Sequence, residues 1–160
     1  MAEDNNKATI VVFSGEMDRV FAALIIATGC AAAGMDTTLF FTFWGLNVIK
    51  KGTPIKAQSF LGKMMGIMNR GGINRLNPSR FAFGGMGRIL FRKMMRDKNV
   101  ASLEELLQTV IDLDVCLLAC KMSMDVLEIS RDDLIPEVDD VVGVATFVKE
   151  AANSKVQLFI

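Results

Sequence analysis

The stretch from Asp114 to Asp125, which reads Asp-Val-Cys-Leu-Leu-Ala-Cys-Lys-Met-Ser-Met-Asp, leaves this chain few folds to choose from. An apolar run of about five residues between Asp114 and Lys121 is too short for a helix and has the length of a fully buried strand. Ser123 reads as the N-cap of a helix from Met124 to Ile129. The expected unit is therefore strand, turn and helix, with Cys120 at the strand's carboxyl end. In open parallel sheets ligands bind at that edge, where N–H groups of the next helix point outward. Those dipoles, with Lys121 adjacent, would favour thiolate over thiol at Cys120. The competing reading is a small buried core residue, the usual fate of free cysteine, and for Cys120 it stays open. For Cys116, in mid-strand, and Cys30, in an alanine-rich helical turn, core packing is the preferred reading.

The rest of the chain supplies partners for that strand. Ala8 to Phe13 is a continuous β-rich run, followed by a turn at Ser14-Gly15-Glu16. Met17 to Ala33 carries apolar residues at helical spacing, with Gly34 as a natural C′ residue. Asp36 to Phe43 reads as a second strand. Ser102-Leu103-Glu104-Glu105 is a capping box, and Leu103, Leu106, Leu107, Val110 and Ile111 give the helix after it one apolar face. Beyond an acidic connection from Arg131 to Glu137, a short strand at Asp139 to Val142, a helix from Ala145 to Ala152 and a last strand from Val156 to Ile160 follow. Strands alternating with helices predict an α/β fold, with an open, mostly parallel sheet of about five strands and helices on both faces. The chain reads as a single domain, 1–160. The ends of three strands, at Ser14-Gly15, Thr42 to Gly45 and Cys120, should share one edge. Trp44, the only tryptophan, is a candidate wall for a crevice above Cys120, with loop packing as the competing reading. Gly15, Trp44 and Ser123 are candidates for lining the Cys120 site.

Ala119-Cys120-Lys121-Met122-Ser123-Met124-Asp125, together with Thr42-Phe43-Trp44-Gly45-Leu46 and Gly143-Val144-Ala145-Thr146-Phe147, resembles the DsrE/DsrF/DrsH-like proteins, in particular the subgroup with a long insertion. The resemblance implies a compact α/β subunit that assembles into oligomers, often trimers or hexamers, and takes part in sulfur-relay chemistry. In active relatives a cysteine after the central strand carries sulfur as a persulfide, and Cys120 is the matching position. No second catalytic residue is carried over. The insertion, absent from the small relay subunits, leaves the partner protein open.

Composition removes other chemistries. With no histidine there is no Ser-His or Cys-His dyad, no His-containing zinc site and no imidazole acid–base catalyst. Cys116 and Cys120 are spaced C-x3-C, which is not a redox C-x-x-C, and one pair cannot close a four-cysteine zinc site. No Walker sequence or strand-following G-x-G-x-x-G is present, so neither a cofactor nor a metal is expected. Three cysteines, an odd number, agree with a reducing compartment, and the polar, acidic start from Met1 to Lys7 does not read as a signal peptide. No apolar run reaches the roughly 18 residues of a membrane-spanning helix. The expected location is the cytoplasm. At 51% hydrophobic, the chain is expected to cover a large interface or to touch a membrane surface.

Between Lys50 and Lys98 the composition changes. Twelve Lys and Arg stand there against one acid, Asp97, so a net charge of +11 faces −11 in the rest of the chain. Eight of the 13 glycines and six of the 11 methionines fall in the same stretch, which suits a basic, adaptable contact surface. Two short helices are expected, Ile55 to Met68 and Gly85 to Met95. The surface would meet a partner protein or anionic lipid at the inner membrane face; a solvated excursion is the competing reading, and no nucleic acid is expected. The leading function is a cysteine-based sulfur carrier that takes persulfide sulfur from a donor protein and passes it to an acceptor protein. The alternative is a non-enzymatic oligomeric adaptor that docks through the insertion.

Overall fold

The computed structural model describes residues 6–54 and 57–160. Five strands form one sheet: β1 (Lys7–Val12), β2 (Asp36–Phe41), β3 (Cys116–Cys120), β4 (Asp140–Val142) and β5 (Val156–Phe159). Their spatial order is β4-β3-β2-β1-β5, and every neighbouring pair is parallel. The expected α/β architecture is present. Alternation along the strands divides their side chains between two layers. Ile10, Val12, Leu39, Phe41, Leu117 and Ala119 belong to the larger core, which α1 (Met17–Ala32) and α4 (Leu103–Asp112) cover. Val11, Phe40, Leu118 and Cys120 belong to a smaller core on the other face. There Phe147 of α6 (Val144–Ala152) stacks on Phe40 with ring centroids 4.6 Å apart.

Local chemistry sets the element ends. Gly34, at φ +78°, closes α1: its N–H donates to Ala31 O, and Met35 N–H donates back to Cys30 O. Ser102 starts α4 with the expected reciprocal box, Ser102 Oγ accepting from Glu105 N at 3.2 Å and Glu105 Oε2 accepting from Ser102 N at 2.7 Å. β2 ends at Phe41 rather than Phe43. The chain there enters a 3-10 turn, Phe43–Asn47, with Phe43 at φ +46°. Close approach forces this, because Gly45 lies against the end of β1 and donates to Phe13 O at 2.8 Å.

The reading of Ser123 as an N-cap needs correction. α5 (Lys121–Val126) begins directly after Cys120, which is itself the N-cap residue, so Ser123 lies inside the helix and is fully buried. The strand delivers the chain into the helix without a linking turn, and the best capping residue by type stands three positions too late. In the basic stretch, α2 (Phe60–Met68) starts at its own cap, Ser59, whose Oγ accepts from Gly62 N at 2.8 Å. The expected start at Ile55 lies outside the described residues. α3 (Met86–Asp97) follows Gly84 and Gly85, both at positive φ, and runs two residues past the expected end at Met95. The polar start of the chain, as far as residue 5, also lies outside the described residues. Among the described residues no helix is long and apolar enough to cross a membrane.

A Cβ on Gly45 would fall 1.8 Å from Val12 O, a backbone atom that cannot swing aside. Gly45→Ala is therefore expected to cost about 1–3 kcal/mol in urea unfolding. Gly29→Ala, in α1 with nothing within 4 Å of the added carbon, is expected to be neutral or mildly stabilising. Equal unfolding midpoints for the two variants would contradict this packing.

Candidate functional site

β3 carries Cys120 to the carboxyl edge of the sheet, and the parallel register decides what meets it there. Phe41 is level with Ala119, so Thr42 comes level with Cys120. Thr42 Oγ1 and Ser123 Oγ lie 2.8 Å apart, both buried, and join the end of β2 to the first turn of α5. Cys120 itself is 3% exposed. Burial works against its thiolate. Hydrogen bonds from the Ser123 hydroxyl and N–H, the Thr42 hydroxyl and the Met122 N–H outweigh that cost and hold the thiol below its ordinary pKa. Lys121 is not among the causes, since its ammonium pairs with Asp125. A six-residue helix also supplies little dipole, so the thiolate depends on specific hydrogen bonds rather than on helix polarity.

Cys116 has the opposite surroundings. Burial, with Asp139, Glu150 and Asp140 nearby, pushes its thiol up to about 11. It stays protonated near neutral pH. Cys116 and Cys120 share a strand face, but four residues of strand separate them by about 13 Å, beyond the reach of a disulfide. Cys30 lies in α1, over the other face of the sheet. Among the described residues, no group of three or more Cys, Asp or Glu is placed to hold a metal ion.

The remaining candidates fall into a second cluster. Gly15 and Trp44 touch: a Cβ on Gly15 would lie 2.6 Å from Trp44 O. Together with Phe13, Arg19 and Asn47 they line a cavity of about 440 Å³, and Cys120 is not among its lining residues. Trp44 is 42% exposed, so its indole forms part of a surface rather than a seal. The structure thus brings Ser123 to Cys120 and places Gly15 with Trp44. Thr42, absent from the sequence candidates, is the second side-chain hydroxyl at the sulfur. Its signal was a hydroxyl at the end of the strand preceding β3, visible only once the two strands are paired in register.

Removing either hydroxyl takes away stabilisation of the thiolate but not of the thiol, so the Cys120 pKa must rise. With Cys30 and Cys116 replaced by Ala, thiolate ultraviolet absorbance followed against pH should show Thr42→Val and Ser123→Ala each raising it by about one. Unchanged titration in both variants would show that the hydroxyls do not hold the charge.

Comparison with known proteins gives a consistent family. The chain is 38% identical over 162 residues to the uncharacterized protein YrkE of Bacillus subtilis, covering 100% of each chain. It is 29% identical over 161 residues to the sulfur carrier protein DsrE2 of Allochromatium vinosum, covering 98% of this chain and 99% of that one. The crystal structure of the ychN protein from E. coli shares the fold, with a TM-score of 0.56 at 14% identity over 96% of this chain and 98% of that one. Residues 4–159 match the family model itself, and the chain belongs to the DsrE/DsrF/DrsH-like family.

Proposed function

We propose that this protein is a sulfur carrier in which Cys120 receives sulfur from a donor persulfide and passes it to an acceptor thiol. The observation that carries the reading is the opposite surroundings of two thiols on one strand: hydroxyl and N–H donors at the sulfur lower the pKa of Cys120, while burial and nearby carboxylates hold Cys116 as thiol. Transfer requires a thiolate nucleophile. In the loading step the Cys120 thiolate attacks the terminal sulfur of the donor persulfide; a new S–S bond forms and the donor leaves as thiolate. In the unloading step an acceptor thiolate attacks that same terminal sulfur, the Cys120 S–S bond breaks, and Cys120 is again a thiolate. No external oxidant or reductant is consumed. Membership of the family, and the name of the Allochromatium relative, support a sulfur-relay role.

Burial of the sulfur makes partner docking part of the chemistry, because a thiol that is 3% exposed must be opened to be attacked. Surface suited to docking is abundant on the basic stretch. α2 exposes Phe60 at 85% and Met68 at 78%, and α3 exposes Met86 and Ile89 among Arg88, Arg92 and Lys93. Apolar side chains set among cations fit an acidic acceptor protein, and anionic headgroups at the inner membrane face offer the same chemistry. The chain as a homo-oligomer is also part of this reading, with trimers or hexamers suggested by the resemblance. Exposed Phe159 on the edge strand β5, stacked on Phe13 at 5.6 Å, is apolar surface that a second copy would cover.

After incubation with a persulfide donor, intact-mass measurement should show an adduct of about 32 Da, the mass of one sulfur atom, that a thiol reductant removes. Cys116→Ser should keep the adduct and Cys120→Ser should lose it; the reverse pattern would reassign the carrier, and no adduct on either would favour the non-enzymatic adaptor. Light scattering at micromolar concentration should give a multiple of the 17.5 kDa chain mass, whereas a monomeric mass would remove the oligomer from the reading.

A further inference from the structure

Two cavities at the carboxyl edge, of about 440 and about 530 Å³, meet on a shared floor of Gly15, Glu16, Asn47 and Asn69. Together they make a groove in the size range of small-molecule sites. The floor is a built structure. Asn47 is buried and donates from Nδ2 to Asn69 Oδ1 at 2.7 Å. Behind the two amides lies Lys50, 3% exposed, its Nζ donating to Asn69 O at 2.6 Å and Asn47 Oδ1 at 3.3 Å. Gly71 closes over the lysine stem so tightly that a Cβ there would fall 2.8 Å from Lys50 Cδ.

The charges do not balance. Among the described residues Lys50 makes no salt bridge; its hydrogen-bond partners are neutral oxygens, and burial brings its pKa down to about 8. Asp133, the carboxylate whose field reaches it, accepts from the N–H and hydroxyl of Ser130 instead. On the groove's rim Arg70 and Arg75 form no ion pair among the described residues. Among the described residues Glu16 is the only carboxylate lining either cavity, and Arg19 pairs with it at 2.9 Å. Two guanidinium groups on the rim therefore lack a carboxylate partner among the described residues, and one buried ammonium lies behind the asparagine floor, outside the concave space itself. A buried cation is costly unless an anion approaches it, and a low-dielectric cleft lined by one sign of charge concentrates the opposite sign. Guanidinium groups match the geometry of oxyanions in particular.

We propose that this groove binds a small molecule bearing a multiply charged oxyanion of the sulfate, thiosulfonate or phosphate kind, with Arg70 and Arg75 holding the anion and Lys50 supplying charge through the asparagine floor. Trp44 and Phe13 give the first cavity an apolar wall against which the remainder of the ligand can lie. Cys120 lines neither cavity, so the site is independent of the carrier reading.

The chain has one tryptophan and no tyrosine, so its intrinsic fluorescence reports Trp44, inside the groove. Full-length protein is titrated with thiosulfate, inorganic phosphate and ADP at ionic strength held constant with chloride, and calorimetry checks each isotherm. Saturable binding of at least one probe is expected, with Arg70→Ala and Arg75→Ala each weakening it about tenfold. Preference for thiosulfate identifies a sulfur oxyanion, preference for phosphate a free phosphate, and preference for ADP a phosphorylated organic ligand. Lys50→Met should weaken the same probe; because that change is buried, the two exposed arginines decide the outcome if it unfolds. Cys120→Ser should bind as wild type. Absence of saturation with all three probes, binding that survives loss of both arginines, or loss of binding in Cys120→Ser would overturn the assignment.

Discussion

Two buried hydroxyls, Thr42 Oγ1 and Ser123 Oγ, meet at 2.8 Å where β2, β3 and α5 come together, and the character of the Cys120 sulfur depends on that contact. Each hydroxyl owns a single proton. A thiolate at Cys120 draws both protons to itself, joined by the Ser123 and Met122 N–H groups, and beside a neutral thiol the two hydroxyls can satisfy each other. The sheet register is what makes this possible, since a one-residue slip of β2 against β3 would turn Thr42 to the opposite face and leave a hydroxyl unpaired in the core.

What could be read from the sequence was whatever depends on near neighbours. The apolar runs of β1 and β3, the Ser102 box and Gly34 each depend on residues within about one turn or strand, and the structure has them. Cys120 at a strand end followed by a helix is of the same kind. The failures all involve distant partners. Ser123 is a good cap by type, but β3 and α5 meet without a turn and its hydroxyl goes to Thr42, 81 positions away. β2 stops early because Gly45 must reach the backbone of β1. Lys50 is the sharpest case: within a run of basic residues it reads as one more exposed charge, yet it is buried under Gly71 and two asparagines.

Composition also cannot say which way a helix faces. α2 turns Gly62 and Gly66 toward the body and its bulky side chains outward, the inverse of an ordinary amphipathic arrangement. A carboxylate fixes it there. Glu128, at φ +51° just beyond α5, accepts from Gln58 N and Ser59 N and leaves no room for a side chain on Gly62. The helix that carries Phe60 and Met68 is thus tied to the turn that follows the Cys120 helix. A carboxylate seated against a glycine holds the helix with its small face inward, so Phe60, Leu61, Ile67 and Met68 stay exposed.

The spacing of the two thiols on β3 bears on how long a chemical mark can last. In many thiol proteins a modified cysteine is discharged by a neighbour within the same chain, and the state persists only until that neighbour swings in. Here the second thiol sits on the same rigid strand, about 13 Å away and protonated, and no rotamer or loop motion can shorten that distance without breaking the sheet. A sulfur modified at Cys120 is kinetically insulated from its own chain. Its lifetime is set by collisions with other molecules alone, which turns the timing of release into a property of the encounter rather than of the fold.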